Sequence, residues 1–306
     1  MQQAVRSGHG AGGAGPDVRA RRRAGAPALA LAGVLGLLGL LGLAGCGQDP
    51  GPAGAPAPPS TLGPLLTPGA DAGTGRSGGA ERVLELTFDD GAAGDRLGEG
   101  ALVPDASGSG HDARVRLAGP TGGLALVEGA PGRGLALQLP APCDSTVEGD
   151  CPKGVVEVED AAGLAPGTGD LRWGASLALP AGRTSKGSNV LQQGFSVGGG
   201  GQWKLQVDGL AGHPSCTLVG RGDSTIHQVR ADVDVADGGW HRVECVRAGA
   251  SLSIVVDGEE RGRAPVPDGL PVDPEGPVRI AGKNLKAGND QYFGAVDDVV
   301  VEAPAG

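Results

Sequence analysis

From residue 81 onward, apolar side chains recur at every second position, and this period decides what the chain can fold into. Leu171, Trp173, Ala175, Leu177 and Leu179 form one run, Trp203, Leu205 and Val207 a second, and Leu252, Ile254 and Val256 a third. Leu84, Leu86 and Phe88 repeat the pattern, as do Leu135, Leu137 and Leu139, and Val229, Ala231, Val233 and Val235. Successive strand side chains point to opposite faces, so such alternation marks strands with one buried face. Turn signals separate the runs: Asp237-Gly238-Gly239, Asp257-Gly258, and Pro-Gly pairs at Pro131 and Pro166. No segment keeps a helical period over three turns. The 60 Gly and 24 Pro among 306 residues argue against a helix bundle, because in a helix interior Gly costs about 1 kcal/mol and Pro about 3. There is no Gly-X-Y tract and no repeat of fixed period. The reading is an all-β sandwich of two antiparallel sheets, built from roughly a dozen strands.

Charge narrows the partners. The first 46 residues hold Arg6, Arg19, Arg21, Arg22 and Arg23 against Asp17 alone, and the other 260 carry 20 Lys/Arg and 34 Asp/Glu. An acidic domain without a Lys/Arg cluster lacks the phosphate-neutralising charge that nucleic-acid binding requires. It would also be repelled by anionic lipid surfaces. No nucleic-acid partner is expected, and any contact of the domain with a membrane must come through an anchor.

The N-terminus supplies one. Arg19-Ala20-Arg21-Arg22-Arg23 precedes an apolar run from Ala28 to Ala44, which at 17 residues is short of the roughly 20 needed to span a bilayer. A basic segment, an apolar segment and small residues at its end are the parts of an export signal. Leu43-Ala44-Gly45-Cys46 then resembles the lipobox of bacterial lipoproteins, which implies lipidation of Cys46 and a protein held on the outer side of the cell membrane. A plain signal peptide, or a single-span anchor with an incidental cysteine, is the alternative. Arg22-Arg23 leaves a twin-arginine route open. Residues 46–80 are mostly Gly, Pro, Ala, Ser and Thr, with too little to bury to offset the entropy of ordering. The expected organisation is a signal peptide over 1–45, a lipidated Cys46 and flexible linker over 46–80, and one domain over 81–306.

With Cys46 assigned to lipid, four cysteines remain, and four allow three pairings. Cys143 and Cys151 bracket a short polar loop, while Cys216 and Cys245 sit in strand-like segments. Pairing 143 with 151 and 216 with 245 is preferred; free thiols are the alternative, disfavoured in an exported chain. Zinc is a poor rival, because no C-x-x-C spacing occurs and His213 stands alone near Cys216.

The stretch from Val229 to Gly258 contains Asp237, Gly238, Trp240, His241 and Val243 in the pattern D-G-x-W-H-x-V, followed by a strand ending Val256-Asp257-Gly258. Here the chain resembles laminin-G-like, concanavalin A-like jelly rolls. Leu86-Thr87-Phe88-Asp89-Asp90-Gly91 with Asp105, Ser107, Gly108 and Asp112 is similar to that family's opening motif, and Gly294-Ala295-Val296-Asp297-Asp298-Val299 to its closing strand. Cys216 ahead of a W-H-x-V-x-C strand is similar to a disulfide-bearing branch on secreted bacterial proteins. The resemblance covers residues 81–303. It implies a lectin-like domain whose partners are glycans or a cell-surface protein, and a structural Ca2+ ion with Asp89 and Asp297 as ligands. From the residues themselves, Trp240 reads as core filler, His241 as a strand hydrogen-bonding group, and Asp257-Gly258 as a hairpin turn.

Some relatives on such a fold cleave glycans, but the paired acids of E-x-D-x-x-E are absent. The nearest run, Glu157-Val158-Glu159-Asp160, lacks the third acid and reads as a solvated strand edge. G-x-S-x-G, H-E-x-x-H and a P-loop are also absent. The chain is therefore expected to bind rather than catalyse. Sugar sites favour an exposed aromatic, and of the seven aromatics Tyr292 and Phe293, beside Asn289 and Asp290 in a Gly-bearing loop, are the expected ligand-binding residues. Arg221-Gly222-Asp223 reads as a tight turn. The expected function is a surface-exposed, lipid-anchored lectin-like module for extracellular or cell-wall glycans. A protein-interaction or structural adhesion module without a sugar site is the alternative.

Overall fold

The structure, a computed structural model, describes residues 80–304 except 121–122, 144, 146, 148, 160, 183–186, 198 and 210. The expected export signal, Cys46 and the expected linker, up to residue 79, lie outside the described residues. The described residues form seventeen strands and one short 3-10 turn at Ala162–Leu164. In chain order they begin with β1 (Ala80–Leu86), β2 (Arg96–Leu97), β3 (Leu102–Val103), β4 (Ala113–Ala118), β5 (Leu124–Glu128) and β6 (Leu135–Gln138). Next come β7 (Lys153–Val158), β8 (Leu171–Ala178), β9 (Ser188–Gly194), β10 (Gln202–Asp208) and β11 (His213–Val219). Then follow β12 (His227–Arg230), β13 (Trp240–Ala248), β14 (Ser251–Val256), β15 (Glu259–Pro265), β16 (Val278–Ile280) and β17 (Ala295–Pro304).

Two antiparallel sheets result. The first has the order β15-β14-β13-β8-β17-β6-β5-β2, with β1 also on β17, and the second the order β12-β11-β10-β9-β16-β7-β4-β3. The expected alternation holds along β8, where Leu171, Trp173, Ala175 and Leu177 are buried, and along β10, where Trp203, Leu205 and Val207 are buried. Each buried aliphatic contributes roughly 1.5–3 kcal/mol by leaving water. The run from Val229 to Val235 is shorter than expected as a strand: β12 stops at Arg230, and residues 231–236 form a loop that still buries Ala231, Val235 and Ala236. Glu157 lies on an interior strand, since β7 pairs with both β4 and β16.

The sheets are joined at their centre. Trp173 of β8 and Trp203 of β10 meet with ring centroids 5.9 Å apart and planes tilted by 55°. Beside them, Cys216 of β11 is bonded to Cys245 of β13, and both residues are fully buried. Cys245 is the register partner of Trp173 and Leu218 that of Trp203, so the bridge and the tryptophans occupy adjacent places in the core. The second expected bridge, Cys143–Cys151, closes a loop of eight-residue separation ahead of β7.

The motifs quoted from the opening and middle of the domain brace turns. The Asp105 carboxylate accepts from the backbone N–H groups of Glu85 (2.9 Å), Ser107 (3.0 Å) and His111 (3.0 Å), which ties the loop after β3 to β1. Asp257 (φ 52°) and Gly258 (φ 82°) are both left-handed and form the β14–β15 turn, a hairpin geometry that Asp-Gly suits. His241 sits between two carboxylates, with Nδ1 2.8 Å from Asp257 and Nε2 3.1 Å from Asp237. Neutral imidazole has one donor only, so both contacts are good only for the imidazolium. Burial lowers the His241 pKa, but the hydrogen bonds and charges of Asp257 and Asp237 outweigh it and hold the pKa above the ordinary value. Trp240, expected in the core, is instead half-buried at the start of β13.

The two bridges should contribute unequally. Chain-entropy reasoning gives roughly 3.5 kcal/mol for a loop of about 30 residues and roughly 2.5 for one of about nine. Cys216→Ala with Cys245→Ala should therefore lower the unfolding free energy by at least 3 kcal/mol, because it also opens a cavity between the sheets. Cys143→Ala with Cys151→Ala should cost less, and equal losses in denaturant titrations would contradict this assignment.

Candidate functional site

Each residue expected from the sequence to bind ligand has a different setting from the one assumed. Tyr292 is fully buried, and its hydroxyl donates to the Ala295 carbonyl at 3.2 Å. Burial pushes its pKa well above the ordinary phenol range. It fills the core between the sheets and cannot stack on a sugar. Asn289 is buried as well: its Nδ2 donates to the Asn284 carbonyl (3.0 Å) and to Gln291 Oε1 (3.1 Å), which stiffens the loop. Phe293 is half-buried next to them. The loop therefore offers no open aromatic platform.

Asp89 and Asp297 do come together. Asp89, exposed, accepts from the Leu135 N–H at 2.8 Å, and Asp297, 1% exposed, accepts from the Asp298 N–H at 2.7 Å. β17 slips register against β8 between Asp297 and Val300, with Asp298 at φ 46°; Asp297 lies opposite Ser176, on the face away from core residues Val296 and Leu177. Burial first, then the charges of Asp298 and Asp89, push the Asp297 pKa up to about 7. Among the described residues, no group of three or more His, Cys, Asp or Glu side chains stands in a metal-holding arrangement.

The sequence reading missed the outer face of the second sheet. Register places Asn189 of β9 opposite Gln206 of β10, Gln192 opposite Lys204, and Lys204 in turn opposite Thr217 of β11. These alternate with the buried Leu205 and Val207, so they share the face turned away from the core. At the turn end of β10, Asp208 is fully engaged: it accepts from Gln206 Nε2, from Ser215 Oγ, and from Arg230 at 3.2 Å. Gln228 extends the network to Ser215 (3.4 Å) and Thr217 (3.3 Å). Glu157 is likewise held by Arg279 (2.6 Å) and Arg116 (3.6 Å).

Among the described residues, two groups beside the 281–290 loop on this face are not engaged. Asn189 is 1% exposed, yet among the described residues neither its Nδ2 nor its Oδ1 has a hydrogen-bond partner. Its backbone N–H donates to the Asp290 carbonyl (2.8 Å), which seats the 281–290 loop beside it, and that loop carries the Lys283–Asp290 ion pair (2.7 Å). The Lys204 ammonium forms no ion pair or hydrogen bond with a described residue, although its backbone pairs within the ladder. Burial lowers its ammonium pKa, partly offset by the charges of Asp208 and Asp290, and Lys283 adds a like-charge push downward. At the opposite end of β9, Phe195 is 40% exposed, about 20 Å from Asn189 at the rise of an extended strand. This amide was hidden in the sequence because β9 reads Ser-Asn-Val-Leu-Gln-Gln-Gly, and a bulge between its pairings to Leu205 and Gln206 breaks the period.

Residues 180–303 match the family model described as the concanavalin A-like lectin/glucanases superfamily, Laminin_G_3. No curated protein sequence matches the chain. Among solved structures the chain is similar to domain 4 of an extracellular arabinanase from Geobacillus stearothermophilus, in complex with arabinotriose. That likeness has 14% identity, a TM-score of 0.51, and coverage of 74% of this chain and 94% of that one. The binding domain of Botulinum Neurotoxin DC in complex with SialylT aligns at 13% identity and TM-score 0.49, over 73% of this chain and 48% of that one. The two-sheet sandwich is thus of the concanavalin A-like jelly-roll kind.

The Asp297 carboxyl sets a pH dependence. Its folded pKa of about 7 lies above the ordinary 3.8, so between these values the folded state binds more protons than the unfolded state. Its stabilising share is complete below the lower value and is lost as pH rises through 7. His241, also raised, acts in the same direction. The melting temperature should fall between pH 5 and 8, and Asp297→Asn should flatten part of that fall. An unchanged pH profile in the variant would contradict the buried carboxyl.

Proposed function

We propose that the protein is a membrane-anchored, surface-displayed lipoprotein whose sandwich binds extracellular or cell-wall glycans along the outer face of its second sheet. One observation carries this reading: the sheltered Asn189 amide has both polar ends unpartnered on a face already lined with amides, hydroxyls and charged groups. An unsatisfied buried amide costs about 1–3 kcal/mol, a cost a ligand hydroxyl would offset. Phe195, just past the far end of the same strand, supplies an apolar surface for a sugar ring. The arabinotriose complex of the arabinanase domain is in keeping with a sugar ligand on such a sandwich. Binding rather than catalysis is supported by the acids of the 157–159 run, since Glu157 and Glu159 are both held by arginines.

Calcium belongs to the same reading. A cation shared by Asp89 and Asp297 would relieve the burial and like-charge repulsion that lift Asp297; in the pH series, millimolar calcium would then remove the fall that chelator leaves. The second reading, a protein-interaction or adhesion module, is favoured by Phe195, Val197 and Ile226, all exposed in loops flanking the second sheet.

Asn189→Leu separates fold from function. It removes an unsatisfied polar group, so stability should rise by about 1 kcal/mol, while affinity for the preferred glycan falls at least tenfold; Phe195→Ala should weaken binding without changing stability. Unchanged glycan affinity in both variants would reject this face and favour the adhesion reading. For the anchor, Cys46→Ala should move the protein from the membrane fraction to the medium or leave it unprocessed. Unaltered retention and mass would refute lipidation.

A further inference from the structure

The outer face of the second sheet is charged against the rest of the domain. Residues 81–306 carry 19 Lys/Arg and 32 Asp/Glu. Yet the outward positions of these strands hold Arg114, Arg116, Lys153, Lys204, Arg230 and Arg279 against Glu157 and Asp208, with Glu99 and Glu159 reaching Arg116 from outside the strands. Both acids are already occupied, Asp208 by Gln206, Ser215 and Arg230, and Glu157 by Arg279 and Arg116.

What is left over is unbalanced in hydrogen-bonding character. Lys204 offers an ammonium with three N–H donors, and Asn189 an NH2 with two donors and a single carbonyl acceptor. A neutral sugar hydroxyl both gives and accepts, and would use this donor surplus poorly. An ionised carboxylate is acceptor-only, and its hydrogen bonds to a charged donor are roughly twice as strong as neutral ones. The Lys283–Asp290 pair stands at the edge of the same place, with the Asp290 carbonyl on the Asn189 N–H. There an incoming carboxylate can replace the Asp290 side chain on Lys283, which leaves the Asp290 carboxylate to solvent and makes it a competitor for the cation.

Resting on the glycan reading above, we propose that this face selects acidic glycans, with a uronate-type carboxylate received by Lys204, the Asn189 amide and Lys283. Asp290 then acts as a resident competitor for the same cation.

The test uses the full chain in detergent, disulfides intact, titrated with polygalacturonate and with the same polymer after carboxyl reduction to its neutral form. The acidic polymer should bind at least tenfold more tightly, and added salt should weaken it. Lys204→Met should bring the ratio of acidic to neutral polymer affinity close to one. Asp290→Asn, which the left-handed backbone there tolerates (φ 53°), should strengthen binding of the acidic polymer only. Melting temperatures near that of the parent chain show that each variant is folded. Equal binding of both polymers would overturn the acidic preference and leave glycan binding standing. Acidic preference unaffected by Lys204→Met and Asp290→Asn would overturn this placement of the site. Binding of neither polymer by the folded chain would remove both readings together.

Discussion

A sandwich of this kind stands or falls on how its two sheets are held face to face, and here that joint is concentrated in four side chains. Trp173 and Trp203 come from different sheets and fill the same central layer, and the Cys216–Cys245 bond crosses beside them. The chain has only seven aromatics and 60 glycines, so it has few bulky groups with which to fill the space between sheets. A covalent bridge is well placed to offset that shortage, because it restricts the unfolded chain whatever the quality of packing around it. Polar groups complete the joint: Trp203 Nε1 donates to Gln193 Oε1 (3.1 Å), and Gln193 Nε2 donates to the Gly276 carbonyl (3.1 Å). The inner face of β9 is thus committed to the core.

That commitment explains the outer face. β9 is buried along its whole length and pairs with β10 over most of it, but at its N-terminal end its neighbour on the other side changes from β16 to the 281–290 loop. Where the loop takes over, a backbone N–H of the strand meets a loop carbonyl at 2.8 Å, and the strand carries one extra residue. A bulge at such a change of neighbour re-aims the side chains next to it. Asn189 is left between strand and loop with neither as a side-chain partner, while every acid around it is spent on its own network. Buried polar groups are normally satisfied; among the described residues Asn189 lacks a partner at both ends of its amide, whereas Trp173, His227 and Arg247 each lack one for a single nitrogen.

How much of this was legible in the sequence follows from where periodicity survives. Along β8, β10 and β14, alternation was clean and the core could be read residue by residue. The disulfide pairing could also be chosen, because a short polar loop isolates Cys143 and Cys151 and leaves Cys216 and Cys245 to each other. Tyr292 was misread for the opposite reason. It lies in an irregular stretch between β16 and β17, where no period says which way a side chain points, and its Gly- and Asn-rich surroundings suggested a surface loop. The Tyr292 N–H donates to the Ala281 carbonyl (3.0 Å) and its hydroxyl to the Ala295 carbonyl, so the ring is carried into the core by backbone contacts invisible in the sequence. Asn189 was missed because its strand has no alternation at all.

The same logic orders the polar features by what they are for. His241 between Asp237 and Asp257, and Asp105 with its backbone donors, are closed constellations: each acceptor has its donor, and the product is a fixed turn. The Asp89–Asp297–Asp298 group is unbalanced in charge, and burial together with that imbalance raises the Asp297 pKa to about 7. The Asn189–Lys204 pair is unbalanced in hydrogen-bond donors on a surface richer in cations than the domain that carries it. Closed networks stabilise a fold and give a ligand nothing to join. On the reading proposed above, the unused donors of Asn189 and Lys204 beside saturated acceptors are what a molecule rich in acceptors would complement.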